Sequence, residues 1–380
     1  MIIGIDARFA LGKRRGVGKY SLNLIRYLSE ADKGNKYVLY IDREDVEGIL
    51  PKRENFQIKN IGSWNYLIWE QILLPLEARK DKIDILHCTA NTAPVFLPRG
   101  LALVSTVHDV SYLKPYSVMP KSPYLYQKLG RVYRKAVVPK SLKKSDMVIT
   151  VSEFAKKDIL SHIHFLNEAK VFITYEAVSD VFKVIDKEDA KRFAKLRYGI
   201  AGNYILNVGG RDPQKNTAFL IENFIELKKT RRSLGKMVIV GFLNYNKTDF
   251  YKDLVNSGLK NEVYFIDFVS ENELVQLYNG AELFVFPSLY ESFGLPPLEA
   301  MACGVPVIAS NTGAIPEIVG DAAMLINPKS KDEYRAALLR LLGEQGLRQE
   351  LIRRGFERIK KFSWLKMAVE TLSVYARLRN

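Results

Sequence analysis

The chain has 380 residues, of which 47% are hydrophobic and 26% are charged, a balance that excludes disordered and collagen-like proteins. At about 150 residues per domain, this length predicts two domains. The two cysteines, Cys88 and Cys303, are too few for a disulfide framework or a cysteine-based metal site, and no apolar run approaches the length of about 18 residues that a membrane-spanning helix needs.

The net charge of +15 indicates an anionic partner, and nucleic acid, an anionic membrane and a phosphorylated substrate all fit. No nucleic-acid-binding motif accompanies the charge, so we expect no nucleic acid partner. The alternative is that the basic residues only keep the protein soluble. The scarcity of cysteine indicates a reducing compartment, and the N-terminus MIIGIDARF lacks the apolar core of a signal peptide, so we expect a cytoplasmic protein.

Short β-branched or aliphatic runs alternate with helical patterns along nearly the whole chain. The predicted strands of the first half are Ile2–Asp6, Tyr37–Ile41, Ile83–Cys88, Leu101–His108, Met147–Val151 and Val171–Thr174. Those of the second half are Tyr204–Gly209, Lys236–Val240, Val263–Ile266, Leu283–Pro287, Val305–Ser310 and Met324–Ile326. Strands that are apolar on both faces and separated by helices belong to parallel sheets covered on both sides. The chain is therefore predicted to be α/β, with two doubly wound, Rossmann-like domains facing across a cleft.

The boundary between the two domains is predicted near Ser179–Asp189, where the apolar pattern lapses and charged residues precede a helix around Ala190–Tyr198. This divides the chain into residues 1–180 and 181–361. Ligands of open α/β sheets bind beyond the carboxyl ends of the strands, so the loops that follow strands are where functional residues are expected.

The loop after the first strand begins Asp6-Ala7-Arg8 and ends in a basic run followed by Gly16 and Gly18. These glycines permit a tight backbone path whose N–H groups can face an anion at a helix N-terminus. The alternative is an ordinary glycine turn flanked by solvated Lys and Arg.

His108 stands with Asp109 at the end of the predicted strand Leu101–His108, where such folds place functional residues. The alternative is a hydrogen-bonded structural histidine. The remaining histidines show no metal-ligand spacing, and the sequence contains no Asp-x-Asp pair, so we predict no metal site.

The strand Tyr204–Gly209 leads through a second glycine to Arg211 and Lys215, before a predicted helix over Thr217–Thr230. A guanidinium, an ammonium and helix N–H groups together can bind a diphosphate. Asn216 also suits a helix N-cap, so ordinary helix initiation is the alternative.

The segment Pro287–Ser310 reads as strand, loop, short helix and strand, with Glu291 on the loop and Glu299 in the helix. Two carboxylates near the carboxyl edge of one sheet can accept hydrogen bonds from the hydroxyls of a polyol. Gly294 would let backbone N–H groups approach a substrate closely. The alternative is a pair of solvent-facing glutamates.

The segment ESFGLPPLEAMACGVPVIAS, with seven residues between Glu291 and Glu299, resembles the signature of retaining family 4 (group 1) glycosyltransferases of the GT-B fold. The resemblance extends over nearly the whole chain, through GVGKY at Gly16–Tyr20, VHDVSYL at Val107–Leu113, TVSEFAKKDI at Thr150–Ile159, VGGRDPQKN at Val208–Asn216 and FSW at Phe362–Trp364. Within the family, the N-terminal motifs are most similar to mannosyltransferase-type members that build bacterial polysaccharides.

This resemblance implies roles for the matching positions. The implied donor-binding residues are Gly16, Gly18, Arg211, Lys215, Ser292, Phe293, Gly294, Leu295 and Glu299. Among them, Arg211 and Lys215 would neutralise a diphosphate, and Glu299 would hold the ribose. The implied catalytic residues are Glu291, which would hold the transferred sugar, and His108, which would face that sugar from the acceptor side.

The resemblance also assigns the domains and the reaction. Residues 1–180 would form the acceptor side, residues 181–361 would bind the nucleotide sugar, and a C-terminal helix over 362–380 would cross back onto the first domain. The expected reaction is retaining transfer of a hexose, mannose from GDP-mannose, to a glycan or lipid-linked acceptor, without cofactor or metal. The alternatives are a UDP-sugar-dependent transferase, a nucleotide-sugar epimerase or phosphorylase, and a non-catalytic nucleotide-sugar binder.

Segment 121–144 contains eight Lys and Arg residues and no Asp or Glu. Leu125, Leu129, Val132 and Ala136 fall on one helical stripe, with basic residues along its flank. We expect either an ordinary amphipathic surface helix or a helix that docks on the anionic inner face of a membrane, beside a lipid-linked acceptor.

Overall fold

The computed structural model of the protein describes residues 1–12, 16–62, 65–116, 119, 125–210 and 212–378. The chain divides into two compact units. The first comprises Met1–Pro115, Pro123–Glu176 and Ser363–Asn380, and the second comprises Tyr116–Ser122 and Ala177–Phe362.

The first unit is built on a parallel sheet. Its strands are β1 (Ile2–Asp6), β2 (Lys36–Ile41), β3 (Phe56–Asn60), β4 (Ile85–Cys88), β5 (Ala102–Thr106), β6 (Met147–Thr150) and β7 (Val171–Ile173). They lie in the order β3-β2-β1-β4-β5-β6-β7, with Ile3 opposite both Tyr37 and Ile85. The strand order reverses between β1 and β4, and the crevice at such a switch point is where ligands of this sheet type bind.

Helices flank this sheet. They are α1 (Gly16–Ala31), α2 (Tyr66–Ile68), α3 (Leu74–Lys80), α4 (Leu125–Lys144) and α5 (Glu153–His162), and a π-helical turn, Trp69–Leu73, joins α2 to α3. Every residue of β4 is buried, which requires packing on both faces of the sheet.

The second unit repeats this plan with fewer strands. They are β8 (Tyr204–Val208), β9 (Lys236–Val240), β10 (Val263–Ile266), β11 (Leu283–Phe286), β12 (Val307–Ser310) and β13 (Met324–Ile326), in the parallel order β10-β9-β8-β11-β12-β13. The helices are α6 (Lys187–Tyr198), α7 (Thr217–Thr230), α8 (Asp249–Asn256), α9 (Glu271–Gly280), α10 (Leu295–Ala302), α11 (Ile315–Val319), α12 (Lys331–Gly343) and α13 (Gln345–Ile359). Phe224, Ile239 and Val285 belong to the core between sheet and helices.

The last helix, α14 (Trp364–Ala376), belongs to the first unit. The Ser363 side chain caps its N-terminus by accepting from the Lys366 N–H. Near its other end, the Tyr375 hydroxyl lies 2.5 Å from Nδ1 of the buried His87, and the Arg377 guanidinium lies 4.9 Å from the centroid of the Phe172 ring. These contacts fix the end of the chain against the first sheet.

The predicted α/β class with parallel sheets is confirmed, and the ends of the predicted strands differ from the observed ends by up to two residues. One strand, β3, was missed. It lies at the edge of its sheet, where Phe56 is buried but Gln57 and Asn60 are exposed, so its sequence FQIKN lacks a continuous apolar run. Among the described residues, no helix combines the length and the apolar character that crossing a bilayer requires.

Candidate active site

Three loops meet at the carboxyl edge of the second sheet, and Asn216 joins them. Its backbone is left-handed, with a φ of 58°, and its side-chain amide donates to the carbonyl oxygens of Pro287 at 3.1 Å and Pro328 at 2.8 Å. The Leu289 N–H donates to the carbonyl of Gln214 at 2.8 Å. Asn216 occupies the predicted N-cap position of α7, but its side chain makes no capping hydrogen bond. The amide instead bridges the loops after β11 and β13.

This bridging holds Lys215 opposite Glu291. The Lys215 Nζ lies 2.6 Å from the Glu291 Oε1, and the two side chains are 23% and 15% exposed. The ammonium also lies 5.2 Å from the centroid of the Phe286 ring, within cation–π range. Lys215, predicted to bind the diphosphate, and Glu291, predicted to bind the sugar, are thus in direct contact. A partly exposed ammonium beside a carboxylate can bind a phosphate oxygen and a sugar hydroxyl next to each other.

The loop after β12 fixes the backbone of Glu291. The Ala314 N–H donates to the Glu291 carbonyl at 2.9 Å. Gly313 has a φ of 65°, and a Cβ at this position would lie 2.6 Å from the same oxygen. Only glycine fits here, so Gly313 shapes the site. Sequence analysis missed it, although a glycine in a loop after a predicted strand was a usable signal.

Gly294 also requires the absence of a side chain. Its φ is 114°, and a Cβ there would lie 2.5 Å from the Cδ1 atom of Ile315. It directly precedes α10, so its left-handed backbone sets the angle at which the chain enters that helix.

The neighbouring residues differ in what they can offer a ligand. Ser292 is half-buried, whereas Phe293 and Leu295 are buried, and the Phe293 ring packs edge-on against Phe362 at 5.7 Å. Only the backbones of Phe293 and Leu295 can therefore face a ligand. Because Pro296 and its neighbour in the first turn of α10 carry no N–H, this helix N-terminus provides fewer donors than an ordinary one.

Glu299 is buried within the unit, at 4% exposure. Its Oε2 accepts from the Tyr278 hydroxyl at 3.1 Å. Burial, and then the Glu299 charge, raise the pKa of Tyr278 well above its usual value, so the hydroxyl stays protonated and can donate. Glu299 is therefore not a solvent-facing glutamate.

In the first unit, His108 is buried after β5. Its Nε2 lies 2.9 Å from the carbonyl oxygen of Thr89 and its Nδ1 lies 3.6 Å from the Glu176 Oε1. The ring also packs edge-on against Tyr20, with centroids 4.7 Å apart. Because a carbonyl oxygen can only accept a hydrogen bond, Nε2 is the donor in the contact with Thr89.

Gly16 and Gly18 lie in the first turn of α1, so their backbone N–H groups are at a helix N-terminus, where the sequence predicted them. Gly16 is exposed and Gly18 is buried. The basic residues before them, 13–15, lie outside the described residues, as does Arg211.

A buried polar cluster at the carboxyl end of β1 was missed. Arg8 is 6% exposed, and its Nη2 lies 3.3 Å from the Asp6 Oδ2 and 3.8 Å from the Glu70 Oε1. The guanidinium carbon lies 4.2 Å from the ring centroids of both Tyr66 and Trp69. Burial raises the pKa of Asp6 to about 6, although the Arg8 charge opposes this shift. The Asp6-Ala7-Arg8 motif was visible in the sequence, but Glu70 comes from a distant helical turn and gave no signal.

No group of three or more His, Cys, Asp and Glu side chains within the described part of the chain is placed to hold a metal ion.

Comparison with known proteins identifies the family. The profile of Glycosyl transferases group 1 matches residues 189–358, and that of Glycosyltransferase Family 4 matches residues 14–180. The chain belongs to the family 4, group 1 glycosyltransferases. This glycosyltransferase is 28% identical to O-antigen chain mannosyltransferase B of Escherichia coli over 376 residues, which are 95% of both chains. The predicted resemblance to mannosyltransferase-like members is confirmed.

Solved structures show the same fold. The glycosyltransferase is similar to sucrose-phosphate synthase from Thermosynechococcus elongatus, with a TM-score of 0.76 and 19% identity over 100% of this chain and 99% of that one. It is also similar to HepE of Anabaena in complex with UDP, with a TM-score of 0.71 and 16% identity over 99% of both chains. The predicted GT-B fold is confirmed.

Proposed function

We propose that this glycosyltransferase moves mannose from GDP-mannose to a glycan or lipid-linked acceptor in polysaccharide synthesis. The observation that carries the proposal is the partly exposed Lys215–Glu291 pair, 2.6 Å apart at the carboxyl edge of the second sheet. The name of the E. coli relative, an O-antigen chain mannosyltransferase, supports both the sugar and the kind of product.

Lys215 has the chemistry needed by the leaving group. When the bond between the sugar and the diphosphate breaks, negative charge develops on the diphosphate oxygens, and a fixed cation stabilises that charge. The ammonium of Lys215 would meet it, with Arg211 as the second cation. Glu291, held against the same ammonium, would accept from hydroxyls of the transferred sugar, while Glu299 would hold the ribose.

We propose a retaining outcome, as the resemblance to retaining family members implies, with His108 facing the reacting sugar from the acceptor side. The product of an α-linked donor should then carry an α linkage. Proton NMR of the isolated product tests this, since a β linkage would exclude retention.

The proposed reaction uses no cofactor and no metal, because Lys215 and Arg211 supply the positive charge. After metal removal, chelator should leave most of the activity intact. Activity that is abolished by chelator and restored by one divalent ion would contradict this.

A UDP-sugar is the alternative donor, and the UDP complex of HepE favours it. Screening GDP- and UDP-sugars for protection against thermal unfolding decides between them, because a ligand that binds the native state raises its stability. Protection by GDP-mannose alone supports the proposal, whereas protection by UDP-sugars alone supports the alternative.

Turnover tests the proposal as a whole. The nucleotide sugar that protects the protein against thermal unfolding is used as the donor. Its nucleoside diphosphate should be released much faster when a glycan or lipid-linked acceptor is present. Donor binding without any sugar transfer would contradict the proposal and indicate a binding protein.

We also propose a cytoplasmic location, with peripheral contact to the anionic inner face of a membrane through segment 121–144. The part of this segment that the structure describes is α4, which begins at Leu125.

A further inference from the structure

Helix α4 turns an apolar stripe towards solvent. Leu125, Leu129 and Val132, spaced four and three residues apart, are 70%, 62% and 66% exposed. On the opposite side of the helix, Val138 and Leu142 are buried in the core. A surface helix of a soluble protein normally buries its apolar stripe and exposes polar residues. Along the first turns of α4, the apolar stripe is exposed instead.

Basic side chains border the exposed stripe. Lys128 and Lys135 lie beside it on the helix surface and are exposed. The sequence of α4 contains no Asp or Glu, so no acidic residue of the helix itself neutralises them. An apolar centre with a cationic border matches the interface of an anionic bilayer, where acyl chains lie beneath phosphate groups.

A second exposed apolar stripe lies on the segment formed by α2, the π-helical turn and α3. Ile68, Ile72 and Leu76 follow one another at intervals of four residues and are each about half exposed. Phe96, in the loop after β4, is 81% exposed. Isolated exposed apolar residues are common, but two stripes and an aromatic ring in one unit are not explained by the core of that unit.

The segments that carry these residues are in direct contact. The Tyr133 hydroxyl of α4 donates to Glu70 Oε2 at 2.5 Å and accepts from the Gln71 Nε2 at 2.9 Å. The Gln71 Oε1 in turn accepts from the N–H of Val95 at 2.9 Å, next to Phe96. Gln71 therefore hydrogen-bonds to both α4 and the loop after β4, so the three segments that carry the exposed apolar residues are neighbours.

We propose that this surface, called here the docking face and made of Ile68, Ile72, Leu76, Phe96, Leu125, Leu129 and Val132, inserts into the interface of an anionic lipid bilayer. Lys128 and Lys135 then lie at the level of the lipid phosphates. The inference deepens the proposed function, on which it rests for the need to reach a lipid-linked acceptor, and it extends the contact from α4 to two further segments.

Binding to vesicles tests the docking face. The full-length protein should co-sediment with phosphatidylcholine vesicles that contain about 30% phosphatidylglycerol, and it should bind phosphatidylcholine alone at least ~10-fold more weakly. Raising the salt concentration should weaken binding several-fold, because the Lys–phosphate attraction is screened. Equal binding to both vesicle types, or binding to neither, overturns the inference.

Matched substitutions locate the contact. The double variant Phe96→Asn/Leu129→Asn should lose roughly 10-fold or more in partition to anionic vesicles, because two apolar side chains leave the interface. Lys128→Gln/Lys135→Gln should lose several-fold and become less sensitive to salt. The controls are Leu196→Asn, at a leucine 80% exposed on α6, and its neighbour Lys195→Gln, which should bind like the wild type. If the control variants lose as much vesicle binding as the docking-face variants, the proposal is overturned.

Insertion itself can be measured with a polarity-sensitive dye. Both native cysteines are buried, so a Cys introduced at an exposed position is the preferred site of labelling. Dye attached to Phe96→Cys or Leu129→Cys should shift its emission to shorter wavelength on anionic vesicles, whereas dye attached to Leu196→Cys should not shift. An unshifted dye at both docking-face positions, with the protein bound, overturns insertion.

Two further outcomes are decisive. If light scattering shows a dimer that Phe96→Asn/Leu129→Asn converts to a monomer, a second copy covers the docking face and the bilayer proposal is wrong. Donor protection against thermal unfolding should be unchanged in the docking-face variants, since no docking-face residue is one of the proposed donor-binding residues. Vesicle binding without any donor turnover would therefore contradict the proposed function alone, and turnover without vesicle binding would contradict the docking face alone.

Discussion

The two units place charged residues at the same edge of similar sheets, but in different environments. In the second unit, Lys215 and Glu291 form a pair that is partly open to solvent. In the first unit, Arg8, Asp6 and Glu70 lie together almost completely buried. A partly exposed pair can exchange contacts with a ligand at little cost, whereas a buried charge that loses its partner is strongly destabilising. Charged residues at the carboxyl edge of a sheet therefore indicate a binding site only when they are also exposed.

Removing Arg8 should produce the largest effect. Arg8→Ala leaves two buried carboxylates without their cation, so the free energy of unfolding of the first unit should fall by about 3 kcal/mol or more. Urea unfolding followed by tryptophan fluorescence measures it, because the tryptophans that the structure describes, Trp69 and Trp364, belong to this unit.

The matched control in the second unit is Lys215→Ala. Its pair is partly exposed, so circular dichroism should show a loss of less than ~1 kcal/mol in unfolding free energy. The distinction between the two regions would be contradicted if Arg8→Ala left the free energy of unfolding unchanged, or if Lys215→Ala unfolded the protein.

The next effect separates the two glutamates of the second unit. Glu291→Gln should lower kcat by about 100-fold, because Glu291 is proposed to meet the sugar whose charge and shape change in the transition state. Glu299→Gln should mainly raise KM, since the ribose changes little during the reaction. His108→Ala should resemble Glu291→Gln. Steady-state kinetics measure both parameters. If Glu299→Gln lowered kcat at saturating donor and Glu291→Gln only raised KM, the roles assigned to the two glutamates would be reversed.

Sequence analysis predicted the fold and named Lys215 and Glu291 as separate candidate residues, because both results depend on local patterns; the ion pair between the two residues was not predicted. Apolar runs in the sequence predict the strands. Lys215 and Glu291 each follow a strand within a recognisable motif. Asn216 was correctly placed at the start of α7, but its side-chain partners, the carbonyls of Pro287 and Pro328, were not predicted, since they come from loops distant in sequence. The apolar stripe and basic flank of α4 were predicted from their helical spacing. Glu70, the second exposed stripe and Phe96 were not found, because residues that become neighbours only in three dimensions leave no local signal.

A third effect concerns the pH dependence of the first unit. Burial lowers the pKa of His87 from 6.5 to about 3, so the native state holds it neutral while the unfolded chain protonates it. Stability is therefore fully present above pH 6.5 and is lost as the pH falls towards 3. Between pH 6.5 and 5 the wild type should lose about 1–2 kcal/mol that His87→Gln does not lose. Tryptophan-monitored unfolding of both proteins at several pH values checks this, and parallel pH profiles would contradict it.

The smallest effect tests the bridging residue of the second unit. Asn216→Ala should raise the KM for donor about 3- to 10-fold by loosening the loop that carries Lys215, with a smaller change in kcat. Asn244 is the matched control, because its backbone is also left-handed, with a φ of 54°, and its side chain caps no helix. Equal kinetic changes in Asn216→Ala and Asn244→Ala would show that any disturbed left-handed asparagine has this effect.

The most direct test of the central claim, that Lys215 binds the donor diphosphate, is calorimetric titration of the wild type and Lys215→Ala. GDP and guanosine are the ligands, with UDP and uridine run in parallel. Lys215→Ala should weaken binding of the diphosphate that the wild type prefers by about 10- to 100-fold, the loss typical of one charge-assisted contact, and should leave the nucleoside within ~2-fold. Equal losses for nucleotide and nucleoside, or no loss for either, would contradict the account.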